Sequence, residues 1–147
     1  MLTYKLSKSP LCKTDKNYCS VIAVAIACDL SYEDAYKACQ EQGRVHGKGM
    51  KSLDIRRVCE KYVDLHYTQF RSYTNRQFRT FYNNEIEFLN KRIVLVGINE
   101  HIVAINNCMI EDFVTRYDQR SLIHYVWVVY PKGQKPEDKN RLIKLKI

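Results

Sequence analysis

The sequence lacks the features that place a chain in several common classes. Its longest hydrophobic run, Val21 to Cys28, has eight residues, whereas a membrane-spanning helix needs about 20. The first residues, MLTYKLSKSPLCK, contain no apolar core of the kind that a signal peptide has. There are no internal repeats and no low-complexity linker. We therefore expect a single domain over residues 1–147 that is neither exported nor inserted into a membrane.

The cysteines and histidines are not spaced like metal ligands or like a disulfide framework. Structural zinc sites place their ligands in close pairs, C-x(2–4)-C or H-x(3–5)-H, and the six cysteines and four histidines form no such pair. A chain of 147 residues also buries enough surface to fold without disulfides. We therefore expect no metal, no cofactor and six reduced cysteines, as in a cytoplasmic protein.

A phosphate-binding loop is absent as well, although the segment GRVHGKG suggests one. A Walker A loop has four residues between its glycines and a Ser or Thr after the lysine. Here three residues separate Gly43 from Gly47, and Gly49 follows Lys48. The segment also follows a predicted helix rather than a strand. We therefore do not expect nucleotide binding at this loop.

Charge is the most marked feature of the composition. The formal net charge of +8 favours acidic partners through long-range attraction. It affects the rate of association and the solubility of the protein, but it does not indicate which reaction the protein catalyses. An acidic protein or peptide and a nucleic acid are both partners that this charge would suit. A basic, solvated surface with no such partner explains the charge equally well.

Helical patterning fills the first half of the chain. The run from Val21 to Cys28 predicts a buried helix, and its alanines allow a neighbouring element to pack closely. Caps and apolar spacing predict three more helices. These are SYEDAYKACQEQG, with Ser31 as N-cap and Gly43 as its stop, SLDIRRVCEKY, capped by Ser52, and TNRQFRTFYNN, capped by Thr74.

Strand patterning begins near Lys91. RIVLVGI is a continuous, mostly β-branched run, typical of a strand that is buried on both faces. We expect strands at 92–97, 101–106 and 109–114 in one antiparallel sheet, and further strands in LIHYVWVVY and RLIKLKI. Helices followed by an antiparallel sheet predict an α+β fold.

Cys19 is the candidate nucleophile. It follows the polar segment TDKNY and opens the first helix, where the partial positive charge of a helix N-terminus favours a thiolate. A thiol nucleophile also needs an imidazole base and a group that orients the base. His101, at the start of the strand HIVAI, is the candidate base. The alternative is that Cys19 is an ordinary core cysteine.

Asp112 is the candidate orienting acid. If the hairpin turns at Asn106–Asn107, the antiparallel strands bring Asp112 opposite His101. A carboxylate there would hold one ring nitrogen and leave the other for the thiol. Asp112 as a solvated strand-edge acid is the alternative, and Asn106 or Asn107 could take the orienting role instead.

The order of these motifs resembles a known family. NYC at 17–19, SYEDAY at 31–36, GR at 43–44, GKG at 47–49, HIVA at 101–104, Asp112 and Trp127 follow one another. This order is similar to that of small bacteriophage-encoded proteins with a papain-like, or C39-like, cysteine-peptidase fold. The resemblance spans roughly residues 15 to 130.

The resemblance implies a papain-like fold and a catalytic triad of Cys19, His101 and Asp112. Papain-like enzymes carry an oxyanion-hole Gln six residues before the nucleophile, where this chain has Lys13. Lys13 or Asn17, together with the backbone N–H of Cys19, is the candidate for this role. The chain also departs from the family pattern at the residue before the histidine, where Glu100 replaces a glycine.

The leading hypothesis is a small thiol hydrolase, a peptidase or amidase of phage origin. It would act in the host bacterial cytoplasm on a host protein or peptide, and an acidic substrate would suit its charge. A thiol transferase or a deamidase would use the same three residues. The alternative from another class is a non-catalytic phage accessory protein that binds and inhibits a host protein, or binds nucleic acid.

Overall fold

The computed structural model describes Asp15 and residues 17–98, 101–111 and 120–134. Within these residues, helices predominate in the first part of the chain and strands in the second, although one strand, which the sequence analysis did not predict, lies between the third and fourth α-helices. The elements are α1 (Cys19–Cys28), α2 (Tyr32–Glu41), α3 (Ser52–Cys59), β1 (Val63–His66), a 3-10 helix (Arg71–Tyr73), α4 (Phe78–Asn84), α5 (Ile86–Leu89), β2 (Ile93–Ile98), β3 (His101–Asn106), β4 (Met109–Glu111) and β5 (Ile123–Pro131). No helix in these segments is long and apolar enough to cross a membrane.

The strands form one antiparallel sheet in the order β1-β5-β2-β3-β4. The α+β prediction is confirmed, and β2 and β3 begin and end within one residue of their predicted limits. The third predicted strand, 109–114, is observed as β4 up to Glu111. Its last residues and the segment RLIKLKI lie outside the described residues.

The sheet is buried on both faces by two separate apolar clusters. Side chains alternate along a strand, so Leu95 of β2 packs with the cluster around α1, whereas Val94 and Val96 pack with the other cluster. The first cluster is built on α1, which is buried from Ser20 to Cys28 and contacts α2, α3, β2 and β3. The second contains the aromatic side chains Phe70, Phe78 and Phe81.

Helix boundaries follow the predicted caps in one case and depart from them in two. Ser31 caps α2, and its hydroxyl accepts a 3.1 Å hydrogen bond from the Asp34 N–H. Ser52 is the first residue of α3 rather than its N-cap, because Lys51 occupies that position without a side-chain bond. Thr74 is not the N-cap of a helix: it follows the 3-10 helix as its C-cap, and α4 begins later, at Phe78, with Gln77 as N-cap.

Contacts with β5 explain why the helix after Thr74 begins late. The N–H of Asn75, a residue with a positive φ of 67°, donates a 2.8 Å hydrogen bond to the Ile123 carbonyl. Gln77 forms an isolated β-bridge with Leu122. These residues are therefore held in extended and turn conformations by the sheet, and a long-range contact overrides the local helix signal.

The hairpin between β3 and β4 turns one residue later than the sequence analysis predicts. Asn106 pairs with Met109, so the turn residues are Asn107 and Cys108 rather than Asn106 and Asn107. Both turn residues have positive φ, 51° and 68°, as in a type I′ turn, whose twist matches that of the flanking strands. The predicted turn at Asn106–Asn107 is therefore wrong.

Contacts with the segment before β2 explain the later turn. The Asn107 N–H donates to the Arg92 carbonyl at 2.9 Å, and the Asn107 side-chain oxygen accepts from the Lys91 N–H at 2.7 Å. Moving the turn by one residue shifts every partner on the second strand by two positions. The register that suggested Asp112 as the partner of His101 is therefore not the register of the described part of the hairpin, and Asp112 itself lies outside the described residues.

Candidate active site

A cleft of about 580 Å³ lies between the start of α1, the loop that leads into α3 and one end of the strands of the sheet. At this end of the sheet, β2 ends while β3 and β5 begin. The structure brings two of the three predicted triad residues, Cys19 and His101, to this cleft. Its walls are formed by Asn17, Cys19, Ser20, Gly49, Met50, Lys51, Ser52, Ile55, Ile98, His101, Ile102, His124 and Tyr125.

Cys19 is the first residue of α1, as the sequence predicts. The N-cap residue, Tyr18, makes no side-chain capping bond, and the first turn of the helix contains no acidic residue. The N-terminal partial charge of the helix is therefore not offset by a carboxylate within that turn, which favours the thiolate form of a cysteine at this position. The Cys19 side chain is half-buried, so it lies at the wall of the cleft rather than in the core.

His101 is the first residue of β3 and pairs with Ile98 at the end of β2. It is half-buried, and the ladder with β2 fixes its backbone. Because β3 lies beside β2 and packs against α1, the start of the strand reaches the cleft at the N-terminal end of that helix. The prediction that His101 lies at the start of a strand is therefore confirmed.

A second histidine, His124, lines the same cleft. The β2–β5 ladder pairs Gly97 with Tyr125 and Ile98 with Ile123, so His124 is the extra residue of a β-bulge. Consecutive strand residues ordinarily point to opposite faces, and a bulge changes this locally. Both His124 and Tyr125 therefore line the cleft. The sequence analysis did not single out His124, because a bulge leaves no periodicity signal.

Tyr125 lies directly over Gly97, its cross-strand partner. A Cβ atom added at Gly97 would be 2.0 Å from Cε2 of the tyrosine ring, so the ring occupies the space that a side chain would need. The ring also stacks on Trp127 with 4.2 Å between centroids. Burial, and secondarily the charge of the Cys19 thiolate, raise the pKa of the Tyr125 phenol. The phenol is therefore protonated at neutral pH and can donate a hydrogen bond at the wall of the cleft.

Only one of the two residues predicted for the oxyanion hole lies in the described part of the structure. Lys13 lies outside the described residues. Asn17 lines the cleft, and its side-chain amide donates a 2.7 Å hydrogen bond to the Gly47 carbonyl. The amide is thus tied to the loop opposite, which fixes its place at the mouth of the cleft.

Next to the cleft lies a buried ion pair that the sequence analysis missed. Arg44 donates from Nη2 to Oδ1 of Asp15 at 2.7 Å, and the two side chains are 1% and 0% exposed. The same carboxylate oxygen accepts a 3.1 Å hydrogen bond from the Gly47 N–H. Burial by itself would raise the pKa of Asp15. The hydrogen bond and charge of Arg44, together with the N–H groups of Asn17 and Gly47, lower the pKa by more than burial raises it, so the pKa lies below its ordinary value. The carboxylate is therefore ionised at neutral pH.

Three other cysteines form a buried group between α1, α2 and α3. The Cys28 thiol contacts the Cys59 carbonyl, with 3.9 Å between sulfur and oxygen. Burial raises the pKa of the Cys39 thiol to about 12, and contact with Cys28 together with burial raises that of Cys59. These are inert core thiols, and no group of three or more potential metal ligands occurs among the described residues. None of the described cysteines forms a disulfide; these are Cys19, Cys28, Cys39, Cys59 and Cys108.

Comparison with known proteins identifies no relative. No protein-family model matches the sequence, and neither the curated proteins nor the solved structures contain a match. The geometry of the cleft and the chemistry of its residues therefore carry the functional argument.

Proposed function

We propose that this chain is a small thiol hydrolase, a peptidase or amidase on a papain-like scaffold, with Cys19 as nucleophile and His101 as general base. One observation carries the proposal. Two residues far apart in sequence line a single cleft, Cys19 at the N-terminus of α1 and His101 at the start of β3. These are the two side chains that nucleophilic thiol catalysis requires.

The reaction would proceed through a thioester. His101 accepts the proton of the Cys19 thiol, and the sulfur attacks the carbonyl carbon of a peptide or amide bond. The protonated imidazole then gives its proton to the departing amine, and water, activated by the neutral imidazole, hydrolyses the acyl-enzyme and restores the thiol. The backbone N–H of Cys19, with Asn17 or Lys13, would stabilise the oxyanion. Asp112 remains the proposed orienting group for His101.

The substrate we favour is an acidic host protein or peptide. The cationic side chain of Lys51 lines the cleft, and no Asp or Glu of the described segments does. Together with the net charge of +8, this lining would attract a carboxylate near the bond that is cleaved. The resemblance of the sequence motifs to phage proteins is the support for a phage origin and for action in the bacterial cytoplasm.

Alkylation kinetics test the proposal directly. We expect iodoacetamide to modify Cys19 faster than any other cysteine, with a pH midpoint below that of an ordinary thiol at about 8.5. His101→Ala should slow this reaction strongly, whereas His66→Ala, a change on β1 away from the cleft, should not.

The same experiment identifies the base and separates the alternatives. His124→Ala should leave the alkylation rate near that of the unchanged protein. If this variant slows alkylation more than His101→Ala does, His124 and not His101 is the general base. If Cys19 reacts no faster than a solvent-exposed thiol, the hydrolase proposal is wrong. The non-catalytic binding protein, including one that binds nucleic acid, would then be the leading function. Trapping from host lysate with Cys19→Ala would next identify the substrate or partner, and the mass of that substrate after treatment with the unchanged protein would distinguish a peptidase from a transferase or deamidase.

A further inference from the structure

We propose that the buried pair Asp15–Arg44 is a positioning device for the nucleophile. This inference rests on the proposed function, because it concerns how Cys19 is held for reaction. The pair lies beside Asn17, two residues before Cys19 in the chain, and outside the set of residues that line the cleft. It would therefore act through the backbone rather than on a substrate.

The pair binds both backbone polar groups of Asn17. Oδ1 of Asp15 accepts a hydrogen bond from the Asn17 N–H at 3.3 Å, and Nη2 of Arg44 donates to the Asn17 carbonyl at 2.9 Å. The Asn17 side chain adds its bond to the Gly47 carbonyl. The residue is thus fixed at its N–H, its C=O and its amide, which leaves the chain little freedom as it enters α1.

The same contacts connect the two walls of the cleft. Arg44 and Gly47 belong to the loop after α2, and this loop continues through Gly49 to Lys51, which line the side opposite Cys19. Asp15 bridges the walls because one of its oxygens accepts from Arg44 and from the Gly47 N–H. The ion pair therefore sets the distance between the start of α1 and the loop that would face a substrate.

The hydrogen bonding of the pair favours positioning over simple stabilisation. Oδ2 of Asp15 and Nε of Arg44 are buried without a hydrogen-bond partner, and Nδ1 of His46 lies 3.8 Å from that oxygen. A buried ion pair with unsatisfied atoms is often no more stabilising than two apolar side chains of the same size. Its directional bonds to Asn17 are what apolar side chains would not supply.

Four variants of the full-length chain test this inference through Cys19 alkylation and urea unfolding. Arg44→Lys keeps the charge but loses the planar fork, and Arg44→Met with Asp15→Asn removes both charges at similar volume. We expect Cys19 alkylation at pH 7 to slow by about tenfold to a hundredfold in the double variant, with a smaller loss in Arg44→Lys, because small misplacements of reacting groups have effects of this size. The pH midpoint should move towards that of an ordinary thiol.

The controls separate positioning from stability. Val58→Ala removes a side chain that is 0% exposed in the same apolar cluster and should lower stability without changing the pH midpoint of Cys19. Asp15→Asn alone tests whether the carboxylate charge is needed. If Arg44→Lys and the double variant both keep the normal rate and midpoint, the inference is wrong while the hydrolase proposal stands. If Cys19 of the unchanged protein shows no enhanced reactivity, the proposed function fails first, and the two failures are distinguishable.

Discussion

Replacing Gly97 by Ala tests whether Tyr125 is fixed at the wall of the cleft. An ideal Cβ at this position would be 2.0 Å from Cε2, 2.1 Å from Cζ and 2.6 Å from Cδ2 of the tyrosine, whereas ordinary contact begins at 3.4 Å. The ring would therefore have to retreat by about 1.4 Å. It cannot do so freely, because it stacks on Trp127. Overpacking of this kind costs about 1–3 kcal/mol.

Gly97→Ala should increase stability, rather than decrease it, when the Tyr125 ring is absent. In a Tyr125→Ala background the added methyl group meets no aromatic ring. Alanine in a strand is then favoured over glycine by roughly 0.5–1 kcal/mol, because the unfolded chain loses less conformational entropy. The coupling between the two positions should therefore be about 1.5–4 kcal/mol.

Urea unfolding of the four proteins in this double-mutant cycle measures the coupling. Cys19 alkylation in Gly97→Ala provides a second measurement, since a displaced ring would alter the wall that it shares with the thiol. If Gly97→Ala has the same effect on stability in both backgrounds, the tyrosine does not occupy the space above Gly97. The described geometry of the cleft would then be wrong at this point.

Three further predictions concern the buried ion pair, the β3–β4 turn and the buried thiols. The pKa of Asp15 lies below its ordinary value of 3.8, so the ionised carboxylate stabilises the fold above about pH 4, and this stabilisation is lost as the pH falls through the lowered pKa. The difference in the free energy of unfolding in urea between the unchanged protein and Asp15→Asn should therefore become smaller below about pH 4. Cys108→Gly should be more stable than Cys108→Ala by about 1 kcal/mol, because both variants lose the thiol contact with the Ile86 carbonyl but only glycine suits a φ of 68°; equal stability of the two variants in thermal unfolding would contradict the type I′ assignment. At pH 8 without denaturant, mass spectrometry should find no alkylation of the buried thiols Cys28, Cys39 and Cys59, and rapid modification of any of them would contradict their burial.

Local signals in the sequence were sufficient to place Cys19, the proposed nucleophile, at the start of a helix. A polar segment followed by an apolar run marked the start of α1 at Cys19, and the change of period near Lys91 marked β2 and β3. These predictions succeeded because each depends on neighbouring residues whose spacing determines which face is buried.

Long-range polar contacts were not accessible in the same way. Asp15 and Arg44 are separated by α1 and α2, and a charged residue in a predicted loop gives no indication of its partner. The hairpin turn failed for a related reason, since Asn106–Asn107 and Asn107–Cys108 are both acceptable locally. The bonds from Asn107 to Lys91 and Arg92 decided between them.

The bulge in β5 shows how a small irregularity can determine the chemistry of a cleft. With regular alternation, only one of His124 and Tyr125 would share the face that meets α1. The additional residue lets both line the cleft beside His101, which gives the cleft two imidazoles and a protonated phenol in addition to the thiol. Since Gly97 leaves room for the tyrosine ring on the neighbouring strand, the bulge and the glycine act together. Deletion of His124 should therefore pair Ile123 with Ile98 in a regular ladder while Tyr125 keeps its place opposite Gly97 and stacked on Trp127. We expect the variant to fold and Cys19 to react with iodoacetamide at a rate close to that of the unchanged protein, because His101 and the tyrosine ring stay in place. A large loss of rate in a variant with unchanged urea stability would mean that the bulge, and not the pairing with Gly97, determines the position of the ring.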